Sequence, residues 1–408
     1  MIGLRIILAA ALALCAAPAL AANPDCAWRP GWASAQMVPE GDNALPAGTY
    51  RDATLRQIVR TTIGGAKLRV RLSNAFGTAP LTLAAASVAR APDNRGHAVD
   101  PASLRPLLFD GARTVTIPAG ADMLSDPVEM AQPLPAFADL AVSLHYRADP
   151  SVQTGHPGSR ATSHIAPGNQ VDAPALANAR TAERWFQITG VEMLTCTATP
   201  VIAILGDSIT DGRGSTTDGN DRWPDVLAGR LGGRVAVLNQ GIGGNRLLLD
   251  GLGPNALARL DRDVLALPGV THLIVLEGIN DIGTATRDAP IGAADHAALV
   301  ARMTGAYRQI VERARAHGIK VIGATIMPFM GFDYYHPDAQ SEADRQAVNS
   351  WIRAPGQFDG VIDFDAVTRD PTQPDRLLPA YDSGDHIHPN PAGYKAMGEA
   401  VPLDLLDM

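Results

Sequence analysis

Five short runs rich in apolar and β-branched residues alternate with helical segments in the second half of the chain. The runs are Val201–Leu205, Val235–Leu238, His272–Leu276, Lys320–Ala324 and Gly360–Phe364. Between or after them lie the helix candidates Pro224–Leu231, Ala256–Leu267, Asp295–His317, Glu342–Ile352 and Pro391–Val401. The unbroken apolar run Val201–Leu205 is typical of a strand buried on both faces of a sheet. The alternation therefore predicts an α/β domain with a doubly wound parallel sheet.

The first part of the chain has a different pattern, because residues 23 to about 198 show no sustained helical period. Short alternating runs appear instead at Leu68–Leu72, Thr114–Ile117 and Leu140–Leu144, and Gly, Pro, Asn and Asp separate them. Short strands with turn signals between them predict an antiparallel β-sandwich-like domain. We therefore predict three regions: a signal peptide at 1–22, a β-rich accessory domain at 23–198 and the α/β domain at 199–408.

A polar segment near the end of the first domain, residues 151–174, is rich in Gly, Pro and Ser. It carries His156, Ser159, Arg160, Ser163 and His164. This composition predicts a solvated connection on the surface. The alternative is a loop that reaches across to the second domain.

The first 22 residues have the composition of a secretory signal. Arg5 precedes the apolar stretch Ile6–Ala17, and Ala19–Ala21 offers a cleavage site of the small-x-small type. Because this stretch is shorter than the roughly 20 residues of a membrane-spanning helix, we expect no retained membrane anchor. We predict a secreted or periplasmic protein. The formal net charge of −8 also argues against a nucleic-acid partner.

Two cysteines remain after removal of the signal, Cys26 and Cys196. An even pair in an exported protein predicts a disulfide, which would tie the start of the mature chain to the end of the first domain. The alternative is two buried thiols.

Polar residues follow the predicted strands at positions that would share one edge of the sheet, because the carboxyl ends of parallel strands gather there. Ser208 comes shortly after the first run, and His388 lies in a loop after the last. A serine hydroxyl needs a base to remove its proton, and His388 is the candidate base. Asp385, three residues earlier, can hold the other ring nitrogen. The alternative for Ser208 is a helix cap.

Attack on an ester carbonyl creates an oxyanion, which preorganised donors stabilise. The backbone N–H groups of Ser208 and Gly241 and the side-chain amide of Asn280 are the candidate donors. Glycine at position 241 would let the main chain approach the substrate without a Cβ in the way. For Asn280 the alternative is a turn residue or a helix cap.

Two cofactor hypotheses for these segments are disfavoured. Gly241–Gly244 suggests a dinucleotide-binding turn, but the third glycine of Gly-x-Gly-x-x-Gly would fall at Arg246. His386–His388 with Asp382 and Asp385 suggests a metal, but no further cluster in the sequence supplies the remaining ligands. We expect no metal and no cofactor.

The chain resembles the SGNH (GDSL) hydrolases over residues 200 to about 400. The four matching blocks, in order, are Gly206–Ile209, Asn239-x-Gly241, Gly278-x-Asn280-Asp281 and Asp385-x-x-His388. The resemblance implies a flavodoxin-like three-layer fold, and it implies that residues 199–408 form the catalytic domain of an esterase. It implies Ser208 as the nucleophile and Asp385 and His388 as the rest of the triad. Gly241 and Asn280 would complete the oxyanion hole.

Substrate contacts are expected from segments that overhang the same edge of the sheet. Asn245 and Arg246 could orient a polar substrate, and Phe329 and Phe332 could pack a sugar ring or an acyl chain. The alternatives are a surface charge for Arg246 and an aromatic lid, within residues 327–335, that buries itself.

We expect an exported esterase that removes acyl groups, chiefly acetyl, from a carbohydrate. The substrate would be a small-molecule ester or a polysaccharide ester. One alternative is a broad carboxylesterase or lipase acting on short-chain or lipid esters. Another is a carbohydrate-binding protein with an idle hydrolase fold, which the full set of candidate catalytic groups disfavours.

Overall fold

The computed structural model describes residues 26–407, and its first half is built from antiparallel strands. They are β1 (Ala27–Ala33), β2 (Ala53–Arg60), β3 (Gly65–Ser73), β4 (Leu81–Arg90), β5 (Arg105–Pro106), β6 (Val115–Ile117), β7 (Asp122–Leu124), β8 (Val128–Leu134), β9 (Asp139–Tyr146), β10 (Gly155–His156), β11 (Ser163–Pro167), β12 (Arg180–Ala182), β13 (Trp185–Phe186) and β14 (Ile188–Thr195). One sheet has the order β1-β14-β3-β7, with β8 also on β3. The other has the order β12-β11-β2-β9-β4-β5, with β6 also on β4. Side chains from both sheets meet in one apolar core, so the predicted sandwich-like region is confirmed.

The second half contains the predicted parallel sheet with helices around it. Its strands are β15 (Val201–Gly206), β16 (Ala236–Gly241), β17 (Val270–Leu276), β18 (Lys320–Ala324) and β19 (Gly360–Ile362). Its helices are α1 (Ser208–Asp211), α2 (Trp223–Leu231), α3 (Ala256–Leu260), α4 (Ile279–Thr286), α5 (Ala293–Ala316), α6 (Ala339–Arg353), α7 (Phe364–Thr368) and α8 (Pro391–Ala400). The strand order β16-β15-β17-β18-β19 reverses next to β15, as in flavodoxin-like sheets. The predicted fold class is confirmed. Helices α1, α4 and α7 are additions to the sequence prediction, and all three have eight residues or fewer.

The β-sandwich region covers the exposed edge of the parallel sheet. Strand β1 packs against β16, and the Thr62 hydroxyl lies 3.1 Å from the backbone nitrogen of Val237. Val201 and Leu238, which belong to the parallel sheet, pack into the core of the sandwich. An edge strand presents unpaired backbone groups, and this covering satisfies one of them. The two regions therefore share a continuous interface beside the first strand of the sheet.

Cys26 and Cys196 form a disulfide in the structure. The bridge adjoins the paired positions Ala27 and Thr195, so it joins neighbouring strands of one sheet. The predicted signal peptide at 1–22 lies outside the described residues. Within residues 26–407, none of the helices combines the length and the apolar composition that crossing a bilayer requires.

The prediction of a solvated connection at 151–174 is wrong. This segment contains β10 and β11, and β11 pairs with β2, placing Ser163 opposite Gln57. The side chains of His156, Ser159 and His164 are buried. Glycine and proline here shape tight turns between short strands. Pairing with other strands satisfies backbone polar groups of β10 and β11, so this part of the segment is buried although its composition is polar.

Candidate active site

Ser208, His388 and Asp385 form a hydrogen-bonded chain at the carboxyl edge of the parallel sheet. Ser208 begins α1 directly after β15, where Asp207 caps the helix through the backbone nitrogen of Ile209. The Ser208 Oγ lies 2.8 Å from His388 Nε2. His388 Nδ1 lies 2.6 Å from Asp385 Oδ2. The sequence placed these groups 180 residues apart, and the fold brings them within hydrogen-bonding distance.

The surroundings of His388 favour its neutral form. Burial lowers the pKa of His388, while the hydrogen bond and the charge of Asp385 act in the opposite direction. The positive charges of Arg213 and Arg160 add to the lowering. Burial alone would raise the pKa of Asp385, but the hydrogen bond and charge of His388 hold it well below its ordinary range. An ionised Asp385 fixes the proton on Nδ1, so Nε2 can accept the proton of Ser208.

Asn280, at the start of α4, has its side-chain amide fixed by two neighbours. Its Nδ2 donates to the carbonyl of Asn245 at 2.8 Å, and its Oδ1 accepts from the Tyr335 hydroxyl at 2.7 Å. Because a carbonyl only accepts, this pairing fixes which end of the amide is the donor. The second hydrogen on Nδ2 stays available, and Asn280 lines the same cavity as Ser208.

Gly241 does not supply the expected oxyanion donor. Its backbone N–H donates to Asn239 Oδ1 at 2.9 Å, so that donor is already used. A Cβ on Gly241 would lie 2.3 Å from the backbone nitrogen of Asp211, so the glycine is needed for packing against α1. Gly243 and Gly244, two and three residues further on, line the cavity instead. The sequence pattern located the glycine-rich turn but not the residue that borders the cavity.

A cavity of about 590 Å³ opens over Ser208 and His388. From the parallel-sheet region it is lined by Ser208, Asp211, Arg213, Ile242, Gly243, Gly244, Leu252, Asn280, Phe332, Tyr334, Tyr335, Asp385, Ile387 and His388. From the sandwich region it is lined by Met37, Asn43, His156, Pro157, Gly158 and Arg160. Both regions therefore contribute walls to one cavity, which is large enough for a small ester and part of its leaving alcohol.

Of the four residues expected to contact the substrate, one lines the cavity and three do not. Phe332 lines the cavity, and its ring meets that of His388 edge-on with centroids 6.2 Å apart. Phe329 is only 1% exposed and belongs to the apolar core. Asn245 is equally buried, and its side chain holds the 252–254 turn and Arg259. Arg246 lies outside this cavity and caps backbone carbonyls of the 249–250 turn. The predictions for Asn245, Arg246 and Phe329 are therefore wrong, because these side chains are used within the fold.

His156 of the sandwich region contacts the helix that carries Ser208. Its Nε2 lies 2.8 Å from Asp211 Oδ1, and its Nδ1 lies 2.8 Å from the carbonyl of Ala35. Asp211 Oδ2 accepts from the backbone N–H of Gly243 at 3.0 Å. A single buried carboxylate thus joins α1, the glycine-rich turn and the sandwich region. Sequence analysis named His156 but assigned its segment to the solvent, and it did not single out Asp211.

Arg259, which sequence analysis also missed, binds the ends of three parallel strands. It donates to the carbonyls of Gly206 and Gln240 and lies 3.2 Å from Glu277. Its helix, α3, reads as an ordinary amphipathic segment, so the only signal is an arginine at an otherwise buried position. Burial raises the pKa of Asp207 to about 7 and that of Glu277 well above its ordinary value. The positive charge of Arg259 offsets part of the free-energy cost of burying these two carboxyl groups, and its hydrogen bonds fix the strand ends that carry the site.

Asp382 and His386 form a second pair on the same loop, with His386 Nδ1 and Asp382 Oδ2 2.6 Å apart. The His386 side chain is half exposed, and neither residue of this pair lines the cavity over Ser208. In the part of the chain that the structure describes, no three His, Cys, Asp or Glu side chains are grouped so that they could hold a metal ion.

The parallel sheet in flavodoxin-like order carries a hydrogen-bonded chain of Ser208, His388 and Asp385 at its carboxyl edge. Residues 204–396 match the family model of the GDSL-like lipase/acylhydrolase family. Residues 204–396 are therefore a GDSL-like lipase/acylhydrolase domain, and the protein is a carboxylic ester hydrolase.

Solved structures similar to this chain include three from bacteria. A GDSL-like lipase from Bacteroides thetaiotaomicron is 20% identical, with a TM-score of 0.39, and the match covers 52% of this chain and 89% of that one. A carbohydrate acetylesterase family member from Sinorhizobium meliloti is 17% identical, with a TM-score of 0.41, and the match covers 52% of this chain and 100% of that one. An aryl esterase from M. smegmatis is 19% identical, with a TM-score of 0.39, and the match covers 51% of this chain and 99% of that one. Among curated proteins no match was found.

Proposed function

We propose that this protein is an exported serine esterase that removes acyl groups, chiefly acetyl, from a carbohydrate. The observation that carries the serine mechanism is the chain from Ser208 Oγ through His388 to Asp385, at 2.8 and 2.6 Å. In the first step Ser208 Oγ attacks the ester carbonyl carbon, and its proton passes to His388 Nε2. Asp385 stabilises the imidazolium that forms.

The tetrahedral intermediate places a negative charge on the former carbonyl oxygen. We assign its stabilisation to the backbone N–H groups of Ser208 and Gly244 and to Asn280 Nδ2. Gly244 replaces Gly241 in this role because it lines the cavity while the Gly241 N–H is bonded to Asn239. As the intermediate collapses, His388 returns its proton to the leaving alcohol, and the acyl group remains on Ser208. Water, deprotonated by His388, then releases the acid by the same steps in reverse.

Export is supported by two features. The first 22 residues have the composition of a secretory signal, and Cys26 and Cys196 are joined in a disulfide. Disulfides persist in secreted and periplasmic proteins but are rare in the reducing cytosol. A fractionation experiment that recovers the mature chain in the periplasm or the medium tests this part. Recovery only in the cytosol with an intact N-terminus would contradict it.

A carbohydrate substrate is supported by the aromatic rim of the cavity. Phe332, Tyr334 and Tyr335 lie along one wall, and Tyr334 is 58% exposed. Exposed aromatic faces pack against sugar rings, and Tyr334 presents such a face at the edge of the cavity. The other side of the cavity favours the alternative of a broad carboxylesterase or lipase, since Met37, Ile242 and Leu252 supply an apolar wall that suits an acyl chain.

A panel of esters separates the two proposals. The panel holds acetylated xylan, acetylated oligosaccharides and p-nitrophenyl esters from acetate to decanoate, each assayed with the wild-type protein and with Ser208→Ala. For the carbohydrate proposal, acetylated saccharides exceed p-nitrophenyl decanoate in kcat/KM. A preference for decanoate would overturn that proposal and support the lipase. Equal rates for wild type and Ser208→Ala would overturn the serine mechanism itself.

A further inference from the structure

The segment 155–160 of the sandwich region forms part of the wall above Ser208. It begins with β10 and ends at Arg160, and four of its residues line the cavity. A Cβ on Gly158 would lie 1.7 Å from Asp211 Oδ2, so the segment packs tightly against the nucleophile helix. The sandwich region is therefore part of the active site, and its side chains can contact a substrate directly.

Arg160 is held at the end of this segment in a conformation that costs energy. Its φ is +49°, a value that non-glycine residues adopt rarely and that costs about 1 kcal/mol or more. Its carbonyl accepts from the backbone N–H of Asp218 at 2.8 Å, which locks the turn onto the parallel-sheet region. Strain of this kind persists where the surrounding structure fixes the residue, and such positions cluster at functional sites.

Asp218, which contacts this turn, forms no ion pair with the Arg160 side chain. Both carboxylate oxygens of Asp218 accept from Thr162, each at 2.7 Å. The Arg160 Nε is buried and has no hydrogen-bond acceptor among residues 26–407. Nε itself is out of reach of a ligand, so a ligand in the cavity would bind through the terminal nitrogens of this guanidinium, which lines the cavity.

The other charges that line the cavity are paired. Asp211 faces His156, and Asp385 faces both His388 and Arg213. Among the described residues of the lining, Arg160 is thus the one charged group without a counter-charge. Its influence reaches the catalytic base, because the charges of Arg160 and Arg213 help to lower the pKa of His388.

We propose that Arg160 is a specificity-determining residue that binds an anionic group of the substrate, so that the preferred ester carries a carboxylate. This proposal rests on the serine esterase proposed above and names its substrate class. A guanidinium forms two parallel hydrogen bonds with a carboxylate, which fixes orientation as well as position. The carboxylate can belong to the acyl group, as in a hemiester of a dicarboxylic acid. It can also belong to the alcohol, as in an acylated uronic acid.

Two pairs of small esters distinguish these sources. Monophenyl succinate, with its charge on the acyl side, is compared with its neutral methyl ester. 4-Acetoxybenzoate, with its charge on the alcohol side, is compared with its own methyl ester. The wild-type protein is expected to prefer the charged member of at least one pair in kcat/KM. In Arg160→Gln that charged ester loses about 10- to 100-fold in kcat/KM, the range expected for one charge-assisted pair.

Matched variants keep the test specific to this side chain. Arg160→Lys retains the charge and is expected to keep part of the preference. Arg113→Gln removes another arginine of the sandwich region, paired with Asp172 outside the cavity, and is expected to leave the preference unchanged. In the two Arg160 variants the neutral esters should lose much less than the charged ester does. Arg113→Gln should change neither class by more than about twofold, the usual effect of a surface substitution.

The possible results distinguish failure of the anionic-substrate proposal from failure of the esterase proposal. A wild-type protein that hydrolyses the neutral esters but prefers neither charged one overturns the anionic substrate and leaves the esterase standing. An equal loss of kcat/KM on charged and neutral esters in Arg160→Gln would also overturn the anionic substrate, because the side chain would then act structurally. No hydrolysis of any ester by the wild-type protein would overturn the esterase.

Discussion

The two regions of this protein contribute different things to one cavity. The parallel-sheet region supplies the reacting groups, each placed by the end of a strand or by the loop at 385–388. The sandwich region supplies part of the wall, from side chains as far apart in sequence as Met37 and Arg160. Two regions of different topology therefore share one cavity, one with the reacting groups and the other with part of the wall. Fold and function need not share a boundary.

The greatest loss of kcat is expected from a substitution in the parallel-sheet region. Asp385→Asn should lower kcat by about 10⁴-fold, because an amide favours the wrong tautomer of His388 and cannot stabilise its charged form. The matched control is Asp382→Asn, which alters the other Asp–His pair of the same loop and keeps a side-chain oxygen as acceptor. We expect that control to retain near wild-type kcat on p-nitrophenyl acetate. If both variants lost activity equally, the loop would matter for its shape and not for the charge of Asp385.

The second prediction tests whether the sandwich region is needed for catalysis. His156→Gln should lower kcat by about tenfold or more, because it weakens the contact that fixes Asp211 beside Ser208 and leaves a buried carboxylate poorly paired. Thermal unfolding is measured alongside, and kcat is compared well below the transition. The control is His145→Gln, in which another buried histidine of the sandwich region loses its contact with Asp52, 3.0 Å away.

Two results would decide the comparison of the regions. Loss of kcat in the His156 variant alone, with similar thermal stability in both variants, assigns the sandwich region a positioning role in the reaction. If kcat were unchanged in both variants, the sandwich region would line the cavity but would not position the reacting groups. A double-mutant cycle compares His156→Gln, Asp211→Asn and the variant with both substitutions. Non-additive effects on kcat are expected only if the two side chains act through each other.

The contrast between the regions also explains what the sequence could predict. Ser208, Asn280, Asp385 and His388 lie immediately beside strand ends or in a short loop, so the periodicity of the strands locates them. The parallel fold was predictable for the same reason, because each strand is an apolar run of its own. His156 and Arg160 reach the cavity through strand pairing across the sandwich, and no local pattern encodes such long-range pairing.

The errors at single residues have a related cause. Gly241 and Gly244 belong to one glycine-rich turn, and only the packing of α1 decides which of them borders the cavity. Phe329 and Phe332 lie three residues apart, and the turn at 330–335 buries one while exposing the other to the cavity. A polar side chain such as Asn245 can satisfy either a substrate or the backbone. The sequence does not distinguish these partners, because the chemistry of the side chain is the same.

A weaker change is predicted for the pH dependence of activity, which involves charges from both regions. His388 must be neutral to accept the proton of Ser208, and burial together with Arg213 and Arg160 lowers its pKa against the opposing effect of Asp385. Activity on a neutral ester should therefore persist below pH 6.5, the approximate reference pKa of histidine, and fall only in more acidic solution. Removing either positive charge makes protonation easier, so Arg213→Gln and Arg160→Gln should move the acidic limb of kcat/KM to higher pH. Arg113→Gln is the control and should leave the limb in place. If the acidic limb moved when Arg213 was replaced but not when Arg160 was replaced, only the parallel-sheet region would supply charges that influence the pKa of His388.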